Sequence, residues 1–196
     1  WKKALEVILN FYRGENLSRK ILVLMGSPRK DGNCDCLCSA FIRGAEEAGH
    51  TAEKIYLQDQ EIHGCLGCGA CGQKDGNCVQ NDGMKSIYEK MIASDVIVLA
   101  SPVYFDSWSS QMKAVLDRTT ALEHNLGGKT FYLLAAGSSA DAAGAETLLE
   151  CFRKYIHCFA EENEGGSVFA AGADKIGDAR GSEAEKQAYA LGREVC

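Results

Sequence analysis

Four cysteines lie within one short stretch: Cys65-Leu-Gly-Cys68-Gly-Ala-Cys71, then Cys78 after six more residues. Three of them recur at every third position, and Gly64, Gly67, Gly69 and Gly72 stand between or beside them. Glycine lets the backbone turn tightly enough for neighbouring sulfurs to converge on one point. Four convergent thiolates can hold a [4Fe–4S] cluster or a tetrahedral zinc ion. Structural zinc usually takes two separated CxxC knuckles, so a single loop with this spacing is nearer to iron–sulfur ligation. Free or redox-active thiols are the bland alternative, and the residues alone leave all three open. His63, Asp75 and Asn77 read as polar loop residues rather than ligands.

A second chemical motif lies upstream. Gly26-Ser-Pro-Arg-Lys-Asp-Gly-Asn-Cys34 follows the apolar run Lys20-Ile-Leu-Val-Leu-Met25 and precedes a stretch with helical spacing. Free N–H groups and the dipole at a helix start form an anion site. Ser27 adds a hydroxyl, Arg29 a planar charged fork and Asn33 an amide. The spacing is neither the GxGxxG of a dinucleotide fold nor the GxxxxGK[ST] of a P-loop. A terminal phosphate of a mononucleotide fits better, and a polar turn that merely caps a helix is the alternative.

These motifs need elements to place them. Apolar runs at 20–25, 95–100 and 129–136 read as buried parallel strands, 51–57 as an edge strand and 166–170 as a weaker fifth. Between them, 33–49, 84–93, 109–122, 145–159 and 182–194 carry helical spacing. Alternation of this kind implies right-handed crossovers and a sheet covered on both faces. The expected fold class is α/β: a doubly wound, flavodoxin-like five-stranded parallel sheet of order 2-1-3-4-5 with an N-terminal helical extension. Residues 1–18 are expected as an amphipathic helix or arm and 19–196 as the main domain, with a cysteine-rich loop at 58–82. Ligands of such sheets bind beyond the carboxyl ends of the strands. Ser101-Pro-Val-Tyr-Phe-Asp106 and Ala136-Gly-Ser-Ser139 are expected at that same edge, beside the first turn.

Gly26-Ser-Pro-Arg-Lys-Asp-Gly-Asn33, Ser101-Pro-Val-Tyr-Phe105 and Gln111-Met-Lys-Ala-Val-Leu-Asp-Arg118 together resemble the NADPH-dependent FMN reductase family. The loop of Cys65, Cys68, Cys71 and Cys78 resembles that of its iron–sulfur flavoprotein branch, whose compact motif holds a [4Fe–4S] cluster close to FMN. The resemblance runs from about Lys20 to Phe169. It implies that Ser27, Arg29, Asn33 and Cys34 hold the FMN phosphate, with Lys30 beside them in the same turn. Pro102, Val103, Tyr104 and Phe105 would face the isoalloxazine ring, and Gly137 would close its other side. The family usually has Thr or Ser where this chain has Cys34. A thiol is the weaker hydrogen-bond donor, so weaker flavin retention is expected.

Three functions follow as expectations. In the first, a ferredoxin-like donor passes single electrons to the cluster, then to FMN and on to a small acceptor such as dioxygen, peroxide or a quinone. In the second, an FMN enzyme takes hydride from NAD(P)H and the cysteine loop is structural. In the third, a four-cysteine metal or thiol module presents a surface and does no redox work. A homodimer or homotetramer is expected, because the loop follows the edge strand and would approach a neighbour's flavin more readily than its own. Trp108 and the N-terminal helix are read as further interface features.

Composition bounds these readings. A chain of 196 residues can bury roughly 70% of its unfolded surface in one domain. Net charge of −6 without a Lys/Arg stripe argues against a nucleic-acid partner, and no apolar run reaches the length of a membrane span. Ten cysteines beside a full-size core suit a reducing compartment, so the expected location is the cytoplasm. The first residue is Trp1, so the numbered chain is expected to begin inside a longer product. The opening segment has no cleavage-site pattern of a secretory signal.

Overall fold

The structure, a computed structural model, describes residues 18–73 and 78–196. The helix expected over 1–18 falls, up to residue 17, outside them. Five strands, β1 (Lys20–Met25), β2 (Thr51–Tyr56), β3 (Val96–Pro102), β4 (Thr130–Ala136) and β5 (Asn163–Ala170), form one sheet of order β2-β1-β3-β4-β5. Every pairing is parallel. The expected order is the observed one.

Among the described residues, six helices accompany the strands: α1 (Asn33–Glu47), α2 (Ala70–Gln73), α3 (Met84–Ala93), α4 (Ser110–Arg118), α5 (Glu146–Ile156) and α6 (Glu183–Arg193). Alternation along each central strand divides the core into two layers. Ile21, Val23 and Met25 of β1 pack with Leu37 and Phe41 of α1 and Ala188 of α6. Leu22 and Leu24 pack on the other face with Met84 and Ile87 of α3, Met112 and Val115 of α4 and Phe152 of α5. Continuous apolar strands are the consequence of burial on both faces.

Departures from the sequence reading have local causes. β3 runs two residues past the expected end, because Ser101 and Pro102 still pair with Ala135 and Ala136. β5 begins at Asn163 rather than 166, where the polar run Asn163-Glu-Gly-Gly hides a strand. Its register shifts opposite Phe131/Tyr132, and a Cβ at Gly165 would strike the Tyr132 ring. The helix expected over 109–122 tightens to a 3-10 turn, Thr119–Leu122, after Arg118. Trp108 is buried in the core of its own chain, so it offers no interface surface, contrary to expectation.

The α1–α6 contact is close enough to need glycine on both helices. A Cβ at Gly44 would collide with the Tyr189 carbonyl oxygen, and one at Gly192 with that of Phe41. Backbone cannot yield as a flexible side chain can, so Gly192→Ala is expected to cost about 1–3 kcal/mol through overpacking. Thermal denaturation should show this as a melting temperature lower by roughly 2–4 °C per kcal/mol for a chain of this size.

Candidate functional site

The carboxyl ends of β1 and β3 and the start of α4 are drawn together by a buried polar knot. Gly26 N–H donates to the Ala100 carbonyl at 2.7 Å. The Ser109 hydroxyl donates to the Gly26 carbonyl at 2.7 Å, and the Ser109 N–H donates to Ser101 Oγ at 3.0 Å. The Ser109 hydroxyl also accepts from Met112 N–H and so caps α4. A side chain at Gly26 would meet Met112 Cβ at 2.9 Å and Ser109 Oγ at 3.0 Å, so only glycine lets β1 and α4 approach this closely.

The turn after β1 is shaped from both ends. Buried Ser27 accepts from the Arg29 N–H at 3.2 Å, a hydroxyl turn of the kind serine favours. Gly32, in extended backbone, precedes α1 without a side-chain cap, which leaves its first N–H groups free of side-chain partners. Asp31 takes a left-handed conformation with φ +58, and its N–H donates to Asp35 Oδ2 at 2.8 Å. Asp35 is held in turn by Lys54 Nζ at 2.5 Å and the Tyr56 hydroxyl at 2.9 Å. Burial alone would raise the Asp35 carboxyl, but the bonds from Lys54, Asp31 and Tyr56 outweigh it and hold it below the ordinary carboxylate range.

A pocket of about 180 Å³ opens at this edge. Its wall includes Ser27, Arg29, Asn33 and Cys34 from the first turn, Pro102, Val103 and Tyr104 from the second, and Gly137 from the third. Ala136, Ser138, Ala173 and Asp174 complete it. Gly137 presents bare backbone, since a Cβ there would press within 3.3 Å of both Phe169 and Val103. Burial pushes the Cys34 thiol up to about 12, so this wall position is a neutral group.

Two expected residues stand away from the wall. Lys30 pairs with Asp59 at 2.7 Å and lies over the Tyr56 ring. Phe105 is fully exposed at the tip of a tight turn, closed by paired 3.0 Å hydrogen bonds between Tyr104 and Ser107. Phe105 and Asp106 have φ +48 and +57, a conformation bulky residues seldom adopt.

Asn33 lines the pocket, yet its side chain is committed elsewhere. Nδ2 donates to the carbonyls of Ala173 and Lys175, at 3.1 and 2.9 Å. Oδ1 accepts from the N–H groups of Gly177 and Ala179, both at 3.1 Å. All four hydrogen-bonding positions of the amide are therefore used, and the side chain is a staple for the loop after β5 rather than a free ligand group. Sequence reasoning missed Ala173 and Asp174 because they enter the site through this staple, 140 residues away along the chain.

The cysteine loop is tied to the end of α4 through Arg118, and its short helix α2 lies against the 3-10 turn Thr119–Leu122. Cys65 and Cys68 are exposed, Cys71 and Cys78 half-buried. Gly67 and Gly69 take φ +62 and +67, the left-handed turns their type permits, and Gly67 N–H donates to Cys65 Sγ at 3.4 Å. Among the described residues, no three His, Cys, Asp or Glu side chains stand in metal-holding geometry. The base of the loop is clasped by buried Arg118, which ion-pairs with buried Asp82 and donates to the His63 carbonyl at 3.0 Å. Asp82 accepts from the His63 and Met84 N–H groups. Burial would raise the Cys78 thiol, but hydrogen bonds from the Gln80 amide and Arg118 bring it below its ordinary value. Met112, Val115 and Arg118 recur at spacing three and share one helix face, and the last of them carries a buried charge that spacing alone does not reveal.

Residues 19–161 match the family model described as NADPH-dependent FMN reductase. An iron-sulfur flavoprotein of Methanosarcina thermophila is 36% identical over 141 residues, which cover 70% of this chain and 73% of that one. An iron-sulfur flavoprotein of Methanocaldococcus jannaschii is 32% identical over 166 residues, covering 83% and 85%. The solved structure of an NAD(P)H:quinone oxidoreductase from Methanothermobacter marburgensis superposes with TM-score 0.74 at 14% identity, covering 90% of this chain and 95% of that one, which bears on the fold alone. The matched span contains β1 to β4, the three turns of the pocket and the cysteine loop, and on this evidence the chain belongs to the NADPH-dependent FMN reductase family, in its iron–sulfur flavoprotein branch.

Proposed function

We propose that this flavin-dependent oxidoreductase binds FMN at the pocket and a [4Fe–4S] cluster at Cys65, Cys68, Cys71 and Cys78, relaying electrons from a ferredoxin-like donor to a small acceptor in the cytoplasm. The observation that carries the flavin is the convergence of the three turns on one pocket whose floor is an uncapped helix start. FMN fits these residues. Arg29, the Ser27 hydroxyl and the first amides of α1 offer donors to a phosphate, and the Gly137 turn offers backbone groups on the same wall as Val103 and Tyr104, where a flat ring could lie. Bound together, the two groups would interconvert one- and two-electron transfer.

The donor set of the cysteine loop also fits its group. Four thiols lie on a glycine-rich chain, and the buried Nε of Arg118 has no hydrogen-bond partner among the described residues. Anionic sulfur is a suitable acceptor for such a donor. None of the four cysteines lines the flavin pocket. That separation favours a homo-oligomer in which the loop of one subunit serves the flavin of another. Among the described residues, no helix is long and apolar enough to cross a membrane, and the acidic chain suits no nucleic-acid partner.

A second reading has support in the family description, which names NADPH. There, NAD(P)H delivers hydride at the mouth of the pocket, beside half-exposed Tyr104, and the cysteine loop is structural. Rapid anaerobic bleaching of the flavin by NADPH, unchanged in Cys68→Ala, would select this reading. Reduction only through a ferredoxin-like donor, lost in Cys68→Ala, would select the first.

Anaerobically purified protein is expected to contain FMN together with about four iron and four sulfide per chain. FMN without iron would remove the cluster, and iron without FMN affinity would remove the flavin site. Fluorescence titration of FMN should separate the turn residues. Arg29→Met should weaken binding by about 1.5–3 kcal/mol, and Ser27→Ala by about 1 kcal/mol. Lys30→Ala should leave it within about 0.5 kcal/mol, because that side chain is an exposed partner of Asp59.

A further inference from the structure

Arg118 does more at the cysteine loop than tie its ends. The residue closes α4 on the same face as Met112 and Val115, so the helix carries a guanidinium into the core side of the loop; only 2% of it is exposed. A buried cation is costly unless its donors are matched. Asp82 and the His63 carbonyl engage Nη1. Asp82 is already shared, accepting from the His63 and Met84 N–H groups as well. Nη2 lies 3.5 Å from Cys78 Sγ, and buried Nε has no partner among the described residues. A loop clamp needs the Nη1 contacts alone. The remaining donor capacity sits beside sulfur.

We propose that Arg118 is a positioning residue for the sulfur-bound group, donating to the Cys78 thiolate and offsetting the negative charge gained on reduction. This rests on the cluster reading above. Held by these four cysteines, a cluster would take up one negative charge with each electron from the ferredoxin-like donor, with no bond to the protein formed or broken. A fixed, desolvated cation beside Cys78 stabilises that product more than the oxidised state, because attraction grows with the charge it faces. Hydrogen bonds to cluster sulfurs are a recognised determinant of potential. Arg118 therefore raises the cluster potential toward the range in which a weak donor can fill it.

Two variants separate charge compensation from clamping. Arg118→Lys keeps a cation for Asp82 but loses the planar fork beside Cys78. The double variant Asp82→Asn with Arg118→Gln removes both buried charges together, so neither is stranded. Anaerobic potentiometry of the cluster, iron content and the melting temperature of each protein are measured. The expected result is retained iron with a reduced-to-oxidised ratio at fixed ambient potential about tenfold lower than wild type in Arg118→Lys, a shift of about 59 mV for one electron. In the double variant the lost Asp82 charge opposes part of the effect, and the shift keeps the same direction because Arg118 is the partner beside Cys78. Loss of iron at unchanged melting temperature and FMN affinity would also support the assignment. Retained iron at an unchanged potential overturns it and leaves the cluster reading intact. Iron loss accompanied by a fall in melting temperature and FMN affinity assigns Arg118 a structural role only, and overturns it. Wild-type protein that holds FMN but no iron sinks the cluster reading, and this inference with it.

Discussion

Parallel pairing is the constraint on which everything else depends. When every strand of a sheet runs the same way, every carboxyl end arrives at one edge, and the turns that leave it must share that space. In this chain the shared space is drawn tighter by the knot of Gly26, Ser101 and Ser109. The strand ends are too close for a side chain at Gly26, and the two hydroxyls satisfy the backbone groups the crowding would otherwise strand. The pocket is a by-product of that packing. Its polar floor exists because helix α1 starts there with its first amides unclaimed by any side-chain cap.

Two clamps turn this edge into a defined site. Asp35, fixed by Lys54 and Tyr56, holds Asp31 in the left-handed conformation that bends the first turn. Asn33 holds the loop after β5 by four hydrogen bonds and so brings Ala173 and Asp174 to the opposite wall. Neither clamp needs a ligand, so the walls are set before anything binds. Binding to a prepared site avoids part of the ordering cost that a loose loop would add.

The cysteine loop follows a different economy. It is long and glycine-rich, and its described residues are largely exposed with little apolar burial to restrain them. Its order comes from its ends, where the Arg118–Asp82 pair is almost wholly withdrawn from water. Such a pair gains little net stability over an apolar contact, but removing one partner is severe. In this chain the pair fixes the ends of the loop and also sets a cation beside Cys78.

The sequence by itself determined the strand order, the positions of every described helix but the short α2 inside the cysteine loop, and the three turns of the pocket. Those rest on period and local turn chemistry: Lys20–Met25 and Met84–Ala93 could be read to the residue because apolar spacing and flanking glycine act locally. Eight of the ten expected pocket residues meet at one wall for the same reason. Tertiary structure alone decided the rest. Lys30 turns to Asp59, Asn33 spends its amide on a loop 140 residues distant, Trp108 enters its own core, and Arg118 is buried beside Cys78. Each of these outcomes depends on which distant group supplies a counter-charge, a carbonyl or an apolar surface. Local periodicity carries no record of such partners, because they become neighbours only once the sheet has closed its crossovers.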